Sequence, residues 1–303
     1  MSGSLFITGA GGFIAGHVLS QLNPDDYDSI CCLSRRESDV TRRLCEHDNV
    51  NFVRGGPLDF AAYESHLARS EVVLHLAAIT GKAPRRDYFA VNADATAFLV
   101  EKCKDLGVPY FLYTSSIAAK YKNIKYYYYA QSKQQGEQIV RESGLKYTII
   151  RPTIVLGPES SLWPSLRKMG GASPLVLPGN GRATIQPIHV DDLAKCIELI
   201  LRERVFANEV LELGGPEAVS MEAFLRRIHR RLRGKEPRVL HLPLRPLIGC
   251  LGVAESFLPF LPISAGQLAA FGNDGPAADN EISRRLREEM MNVDQIIESL
   301  PVE

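Results

Sequence analysis

An excess of either charge is missing from this sequence: 35 lysines and arginines stand against 35 aspartates and glutamates. That balance excludes the basic stripe that a nucleic-acid surface needs, so no nucleic-acid partner is expected. Also missing is any run of about twenty uninterrupted apolar residues, the length a membrane-spanning helix requires. The apolar run at Leu5 is too short for a secretory leader, and glycines follow it. The six cysteines, Cys31, Cys32, Cys45, Cys103, Cys196 and Cys250, form no C-x-x-C pair and no zinc spacing. No metal site is expected. Several of them lie in apolar runs, where cysteine behaves as a small hydrophobe. A reduced, cytoplasmic setting is the expectation. There is no internal repeat and no low-complexity tract.

What is present begins at the start of the chain. Leu5 to Ile7 reads as a buried strand, Gly9-Ala10-Gly11-Gly12 as a tight turn, and Phe13 onward as an amphipathic helix. Strand, glycine turn and helix together predict a dinucleotide site, with free N–H groups of the helix start facing a diphosphate. The common G-x-G-x-x-G spacing fails, because Ile14 fills its third place. The register Gly9, Gly12, Ala15 fits, with alanine serving close helix–strand packing.

Ser29 to Leu33 reads as the second strand, followed directly by Ser34-Arg35-Arg36. An acidic residue here would bind the ribose hydroxyls of NAD, whereas two arginines suit a 2′-phosphate. NADP(H) is therefore expected ahead of NAD(H). Further strands are expected at 51–53, 72–76, 110–113 and 147–151, the last ended by Pro152. Helices are expected at 61–69 and 87–106, the second closed by Gly107 and Pro109. His75 reads as a core histidine. The small residues after it let the backbone of Leu76 and Ala77 lie against a cofactor. This alternation predicts an α/β fold, a Rossmann-type doubly wound parallel sheet covered on both faces, with ligands at the carboxyl ends of its strands.

Beyond Pro152, proline and glycine mark loops. Asp191 or Asp192 is expected to cap a helix through Leu201, Val210 to Leu213 to form one more strand, and Ser220 to cap a basic helix through Arg233. The arginines of that helix read as a solvated face, or as attraction for a phosphorylated substrate. Residues 240–262 are apolar and proline-rich and read as lid or packing elements. Residues 280–299 read as a charged helix. The expected division is 1–158 with 182–216 as an NADP-binding domain, and 159–181 with 217–303 as a smaller C-terminal substrate lobe.

Tyr129 and Lys133 are four residues apart and share a helix face. A lysine ammonium beside a phenol lowers its pKa from near 10. Such a tyrosine exchanges a proton with a carbonyl oxygen near neutral pH. Ser116, on a neighbouring strand end, is placed to hydrogen-bond the same oxygen.

These residues carry a resemblance. The chain resembles the short-chain dehydrogenase/reductase superfamily in its extended or atypical branch, the NAD-dependent epimerase/dehydratase type. Thr8-Gly9 through Ala15 is similar to the T-G-x-x-G-x-x-G turn of that branch, and Tyr129 to Lys133 matches Y-x-x-x-K. Ser115-Ser116 matches its serine pair, and Asn92 with Thr96 its asparagine–threonine helix. Arg151-Pro152 to Gly157-Pro158 and His189-Val190-Asp191-Asp192 match two later segments.

The resemblance implies Tyr129 as acid/base, Lys133 as the holder of the nicotinamide ribose, and Ser116 as the group polarising the carbonyl, with Ser115 second. It implies diphosphate contacts at Gly9, Gly12, Phe13 and Ile14, and further cofactor contacts at Leu76, Ala77, Asn92 and Pro152. The branch's G-D-L near the third strand is replaced by Gly55-Gly56-Pro57-Leu58, and its dehydratase acidic pair by Ile117-Ala118. The expected activity is NADP-dependent reduction of a carbonyl on a small molecule or nucleotide sugar. A nucleotide-sugar epimerase and a non-catalytic NADP(H)-binding subunit or sensor are the alternatives. A homodimer is compatible with each.

Overall fold

The computed structural model describes residues 3–122, 124–244, 251, 268 and 272–302. Its strands are β1 (Ser4–Thr8), β2 (Ser29–Ser34), β3 (Val50–Arg54), β4 (Val72–His75), β5 (Tyr110–Thr114), β6 (Lys146–Pro152), β7 (Val155–Leu156), β8 (Leu175–Pro178), β9 (Thr184–Ile185), β10 (Ile188–His189), β11 (Glu209–Leu213), β12 (Val219–Ser220) and β13 (Val239–Leu242). Seven of them form one sheet in the order β11-β6-β5-β4-β1-β2-β3. Every neighbouring pair in it is parallel. The order reverses between β1 and β4, which places the ligand crevice at the carboxyl ends of those two strands.

The helices are α1 (Phe13–Gln21), α2 (Asp39–Leu44), α3 (Glu64–Leu67), α4 (Arg85–Phe89), α5 (Ala95–Asp105), α6 (Tyr128–Glu142), α7 (Trp163–Gly170), α8 (Val190–Glu203), α9 (Met221–Arg233), α10 (Glu281–Leu286) and α11 (Val293–Ser299). The strand period of two sends alternate side chains to opposite faces of the sheet. Leu5, Ile7, Ile30, Cys32, Leu74 and Leu112 pack with Val18 of α1 and Leu193, Ile197 and Ile200 of α8. Phe6, Cys31, Leu33, Val73, Phe111 and Tyr113 pack with Leu99 and Cys103 of α5 and Val140 of α6. Both faces are covered, so the strands read as continuous apolar runs. A third cluster gathers Trp163, Leu166, Leu175, Leu177, Phe224, Leu225, Ile228, Ile296 and Ile297, away from the sheet. No helix among the described residues is long and apolar enough to cross a membrane.

Several local expectations change. The helix expected over 87–106 is broken by a π-turn at Ala90–Asp94. Within that turn the Asn92 carbonyl accepts from both Thr96 Oγ1 and the Tyr113 hydroxyl. The helix expected over 61–69 shrinks to a 3₁₀ turn and the four residues of α3. The cap of α8 is His189, whose Nδ1 accepts from the Asp191 N–H, and not Asp191 or Asp192, which occupy the first turn. Ser220 caps α9 as expected. The charged tail is two helices, because Met290 takes an extended conformation between them. Of the apolar stretch 240–262, residues 245–250 and 252–262 lie outside the described residues.

Candidate active site

The glycine turn leaves β1 in a conformation that excludes a side chain. Gly9 has φ +72°, and a Cβ there would lie 2.7 Å from the backbone N and Cα of Ala77. A Cβ on Gly11 would lie 2.3 Å from the Arg36 carbonyl oxygen. A Cβ on Gly12 would meet only the Gly9 carbonyl, at 3.1 Å. The close approach therefore falls on Gly9 and Gly11, and Gly11 was not singled out from the spacing. Gly12 starts α1 with no side chain capping the helix, and Ala15 is buried beneath it. The N–H groups of Phe13 and Ile14 stand in that uncapped first turn, where an anion is favoured.

Arg35 and Arg36 follow β2 and are exposed. Among the described residues no acidic side chain pairs with either. The backbone of Arg36 is the wall against which Gly11 packs, so both guanidinium groups start from the rim of the turn. After β3, the carboxylate of Asp59 accepts from Gly56 N–H at 2.7 Å. An aspartate thus stands two residues beyond Pro57, the place where G-D-L would put it. Leu58 is 62% exposed beside it, an apolar surface at the rim.

At the end of β4 the backbone of Leu76 and Ala77 lies against Gly9, as expected from the small residues there. His75 is a core residue: Nδ1 pairs with Thr8 Oγ1 at 2.6 Å and Nε2 with Thr96 Oγ1 at 2.9 Å. Burial, with Lys133 nearby, pushes its pKa down to about 3, so it is neutral. Asn92 is fully buried, and its amide is taken up by the Ile79 backbone and by Ser132 Oγ. It holds the loop that follows Ala77. Pro152 is buried at the end of β6, opposite Leu213.

Ser116, Tyr129 and Lys133 converge at the ends of β5 and α6. Ser116 caps a 3₁₀ turn over Ile117–Lys120, its Oγ accepting from Ala118 N–H at 3.2 Å. The same hydroxyl lies near enough to Tyr129 to influence the titration of its phenol. Ser115 is committed elsewhere, its Oγ donating to Glu137 Oε1 at 2.6 Å. Tyr129 sits among aromatic rings, 6.1 Å from Tyr88 and 5.9 Å from Tyr127 between centroids. Lys133 is almost fully buried, with Nζ donating to the Thr114 carbonyl at 2.8 Å and lying 4.9 Å from the Tyr113 ring centre.

The expected depression of the phenol by the lysine does not occur in this arrangement. Burial raises the Tyr129 pKa to about 12, the nearby Ser116 hydroxyl works against the rise, and Tyr88 adds to it. Lys133 moves the other way: burial lowers it to about 7, with Glu137 opposing. Desolvation disfavours the charged form of each group and outweighs their spacing on one helix face.

Beneath these residues runs a chain of alternating charges that the spacing gave no sign of. Glu137, one turn after Lys133, receives Arg151 Nε at 2.8 Å and Nη2 at 2.7 Å. Arg151 Nη1 reaches Glu212 Oε1 at 3.3 Å, and Glu212 Oε2 receives Lys120 Nζ at 2.6 Å. Burial works against ionisation of Glu137 and Glu212, but the donors around them hold both carboxylates below their ordinary range. The arginines of α9 are engaged as well: Arg227 with Glu217 at 2.6 Å, Arg226 with Glu222 at 2.9 Å, and Arg231 with the Leu300 carbonyl at 2.7 Å.

A doubly wound parallel sheet with a glycine turn at its switch point, and serine, tyrosine and lysine at neighbouring strand ends, defines a dinucleotide-dependent α/β protein of the short-chain dehydrogenase/reductase type. The chain belongs to the NAD dependent epimerase/dehydratase family, whose model matches residues 5–214. It is 24% identical over 284 residues to the chloroplastic divinyl chlorophyllide a 8-vinyl-reductase of Oryza sativa subsp. indica, covering 90% of this chain and 69% of that protein. Two further vinyl reductases of that name are matched over 46% and 64% of their own length. The ceramide reductase of Caulobacter vibrioides is 25% identical over 241 residues, covering 80% of this chain and 74% of that protein. The UDP-glucuronic acid 4-epimerase of Bacillus cereus, solved with NAD, shares the fold with a TM-score of 0.65 at 20% identity, over 89% of this chain and 97% of that one.

Proposed function

We propose that this chain is an NADPH-dependent reductase of a carbonyl compound, with Tyr129 as the proton donor. One observation carries this: the Ser116 hydroxyl, at the cap of the turn after β5, stands close enough to Tyr129 in the first turn of α6 to draw its pKa down. The residues fit a dinucleotide. Gly9 and Gly11 form a cradle that a Cβ would fill, α1 opens uncapped, and Arg35 and Arg36 have no acidic partner among the described residues. Gly9, Gly12, Phe13 and Ile14 hold the diphosphate, Arg35 and Arg36 the 2′-phosphate, and Leu76, Ala77 and Pro152 border the rest. NADPH, when bound, supplies the hydride.

Ser116 Oγ donates to the substrate carbonyl oxygen and sets its position. Tyr129, kept protonated through neutral pH by its buried setting, gives its phenolic proton to that oxygen as negative charge develops on it. A protonated phenol suits reduction; oxidation of an alcohol needs the phenolate. Lys133 holds the nicotinamide ribose and, when protonated, supplies positive charge beside the phenolate that remains. Residues 1–158 with 182–216 form the cofactor domain in this proposal, and 159–181 with 217–303 the substrate lobe. The separate apolar cluster of Trp163, Phe224 and Ile296 supports that division.

Among the activities in this family, vinyl and ceramide reduction in sequence relatives favours net reduction over epimerisation. Arg35 and Arg36, without an acidic partner among the described residues, favour it further, on the expectation that epimerases of this branch mostly hold NAD. The test is incubation with NADPH and a panel of keto-sugars, small carbonyls and ketone lipids, followed by loss of NADPH absorbance. Tight NADPH binding with no turnover on the panel would move the assignment to a binding subunit. Epimerisation of a nucleotide sugar without net NADPH loss would move it to an epimerase.

A further inference from the structure

We infer that Lys120 and Glu212 are positioning residues that hold Ser116 in place, through a buried brace tying the Ser116 turn to β11 and to residues 276–280. The inference rests on the proposed role of Ser116. Ser116 and Lys120 bound the same 3₁₀ turn, Ser116 as its cap and Lys120 as its last residue. From Lys120 the Nζ group makes two contacts of 2.6 Å, to Glu212 Oε2 and to the Pro276 carbonyl. Ala278 N–H shares Glu212 Oε2 with Lys120, at 2.8 Å, and Arg151 Nη1 reaches the other oxygen, Oε1, at 3.3 Å. Its own carbonyl accepts from Asn280 Nδ2 at 2.8 Å.

The other end of the frame is α6, which carries Tyr129 and Lys133. Arg151 grips Glu137 of α6 with two donors, and Gln134 of α6 donates to the Ala119 carbonyl of the turn at 2.6 Å. The path Ser116 turn, Lys120, Glu212, Arg151, Glu137, α6 therefore joins the two sides of the Ser116–Tyr129 contact through four alternating charges. A buried ion pair is weak evidence of stabilisation, because the desolvation of both groups offsets their attraction. Directional contacts do fix geometry, however, and a misplacement of about 1 Å at a reacting centre can cost about a hundredfold in rate. Replacing Lys120 leaves the Glu212 carboxylate still held by Arg151 Nη1 and Ala278 N–H, so no buried charge loses its last partner.

The test uses the full chain. Amide hydrogen exchange reads the turn without a substrate. In Lys120→Met, residues 115–121 should exchange at least about tenfold faster, while α1 and the glycine turn are unchanged and Lys120→Arg stays near wild type. With any carbonyl from the NADPH panel that wild type reduces, Lys120→Met should lower kcat by about tenfold to a hundredfold at unchanged NADPH affinity. Added to Ser116→Ala, it should lower kcat no further, because coupled residues are non-additive. Unchanged exchange over 115–121 overturns the brace, and so do fully additive losses of kcat. If Ser116→Ala keeps full turnover while exchange responds as stated, the Ser116 role fails and the brace stands as a device of the fold. Glu212→Asp, which keeps the charge, gives a second variant and should fall between wild type and Lys120→Met in both measurements.

Discussion

The Lys133 ammonium lies 2.8 Å from the Thr114 carbonyl oxygen, at the end of the strand that leads into Ser115 and Ser116. This contact anchors α6 to β5 and directs the charge of Lys133 toward the carboxyl end of that interior strand. Burial lowers Lys133 from its ordinary 10.5 to about 7. Between those values the unfolded chain binds more protons than the native one, so stability rises with pH through that window. Below about 7 the native protein carries the full cost of the buried ammonium. Lys133→Met removes the titrating group. The melting temperature of Lys133→Met minus that of wild type, without cofactor, should therefore decrease from pH 7 to pH 10. A difference that is flat across this range would show that Lys133 titrates normally.

Cofactor choice rests on Arg35 and Arg36, both exposed at the end of β2. A charge-assisted hydrogen bond contributes about 1.5–3 kcal/mol. Fluorescence titration should show NADPH binding more tightly than NADH. Arg35→Ala with Arg36→Ala should remove most of that difference and leave NADH binding near its original value. Equal affinities in wild type contradict the assignment.

The glycine turn makes a graded prediction. Gly11→Ala forces a methyl to 2.3 Å from the Arg36 carbonyl oxygen, whereas Gly12→Ala meets only the Gly9 carbonyl oxygen, in a tight but milder contact of 3.1 Å. Overpacking of this kind costs about 1–3 kcal/mol. Gly11→Ala should lower both thermal stability and NADPH affinity more than Gly12→Ala. The reverse ranking would restore the register in which Gly12 makes the close approach.

Glu137 is 3% exposed and faces Arg151 in a two-point contact. Glu137→Gln leaves the Arg151 guanidinium with Glu212 as its one remaining anion, and breaking a buried pair costs about 3–5 kcal/mol. Urea unfolding of wild type and variant measures the loss. A change within experimental error would mean that Glu212 alone balances Arg151.

Much of the fold was legible because its signals are local. The strands read as apolar runs, the glycine turn as a break between strand and helix, and Tyr129 with Lys133 as neighbours four apart. What escaped depends on contacts between distant residues. Glu212 meets Arg151 across 61 positions and Lys120 across 92. No spacing rule reaches that far. Ser115 and Ser116 are indistinguishable in sequence; only the reach of Glu137 to Ser115 separates them. The tyrosine–lysine spacing shows proximity and does not show burial, and burial sets the direction in which both groups titrate. Gly11 escaped because its neighbour, the Arg36 backbone, comes from another strand.

In the proposed reduction Tyr129 gives the proton. Tyr129→Phe keeps the ring against Tyr88 and Tyr127 and removes only the oxygen. Acid–base catalysis of this kind supplies about 10²–10⁴-fold. The most direct measurement is NADPH-dependent turnover of one carbonyl substrate by wild type and Tyr129→Phe, with NADPH affinity measured on both. Turnover should fall at least about a hundredfold while affinity stays the same. Full turnover in Tyr129→Phe would contradict that role for Tyr129.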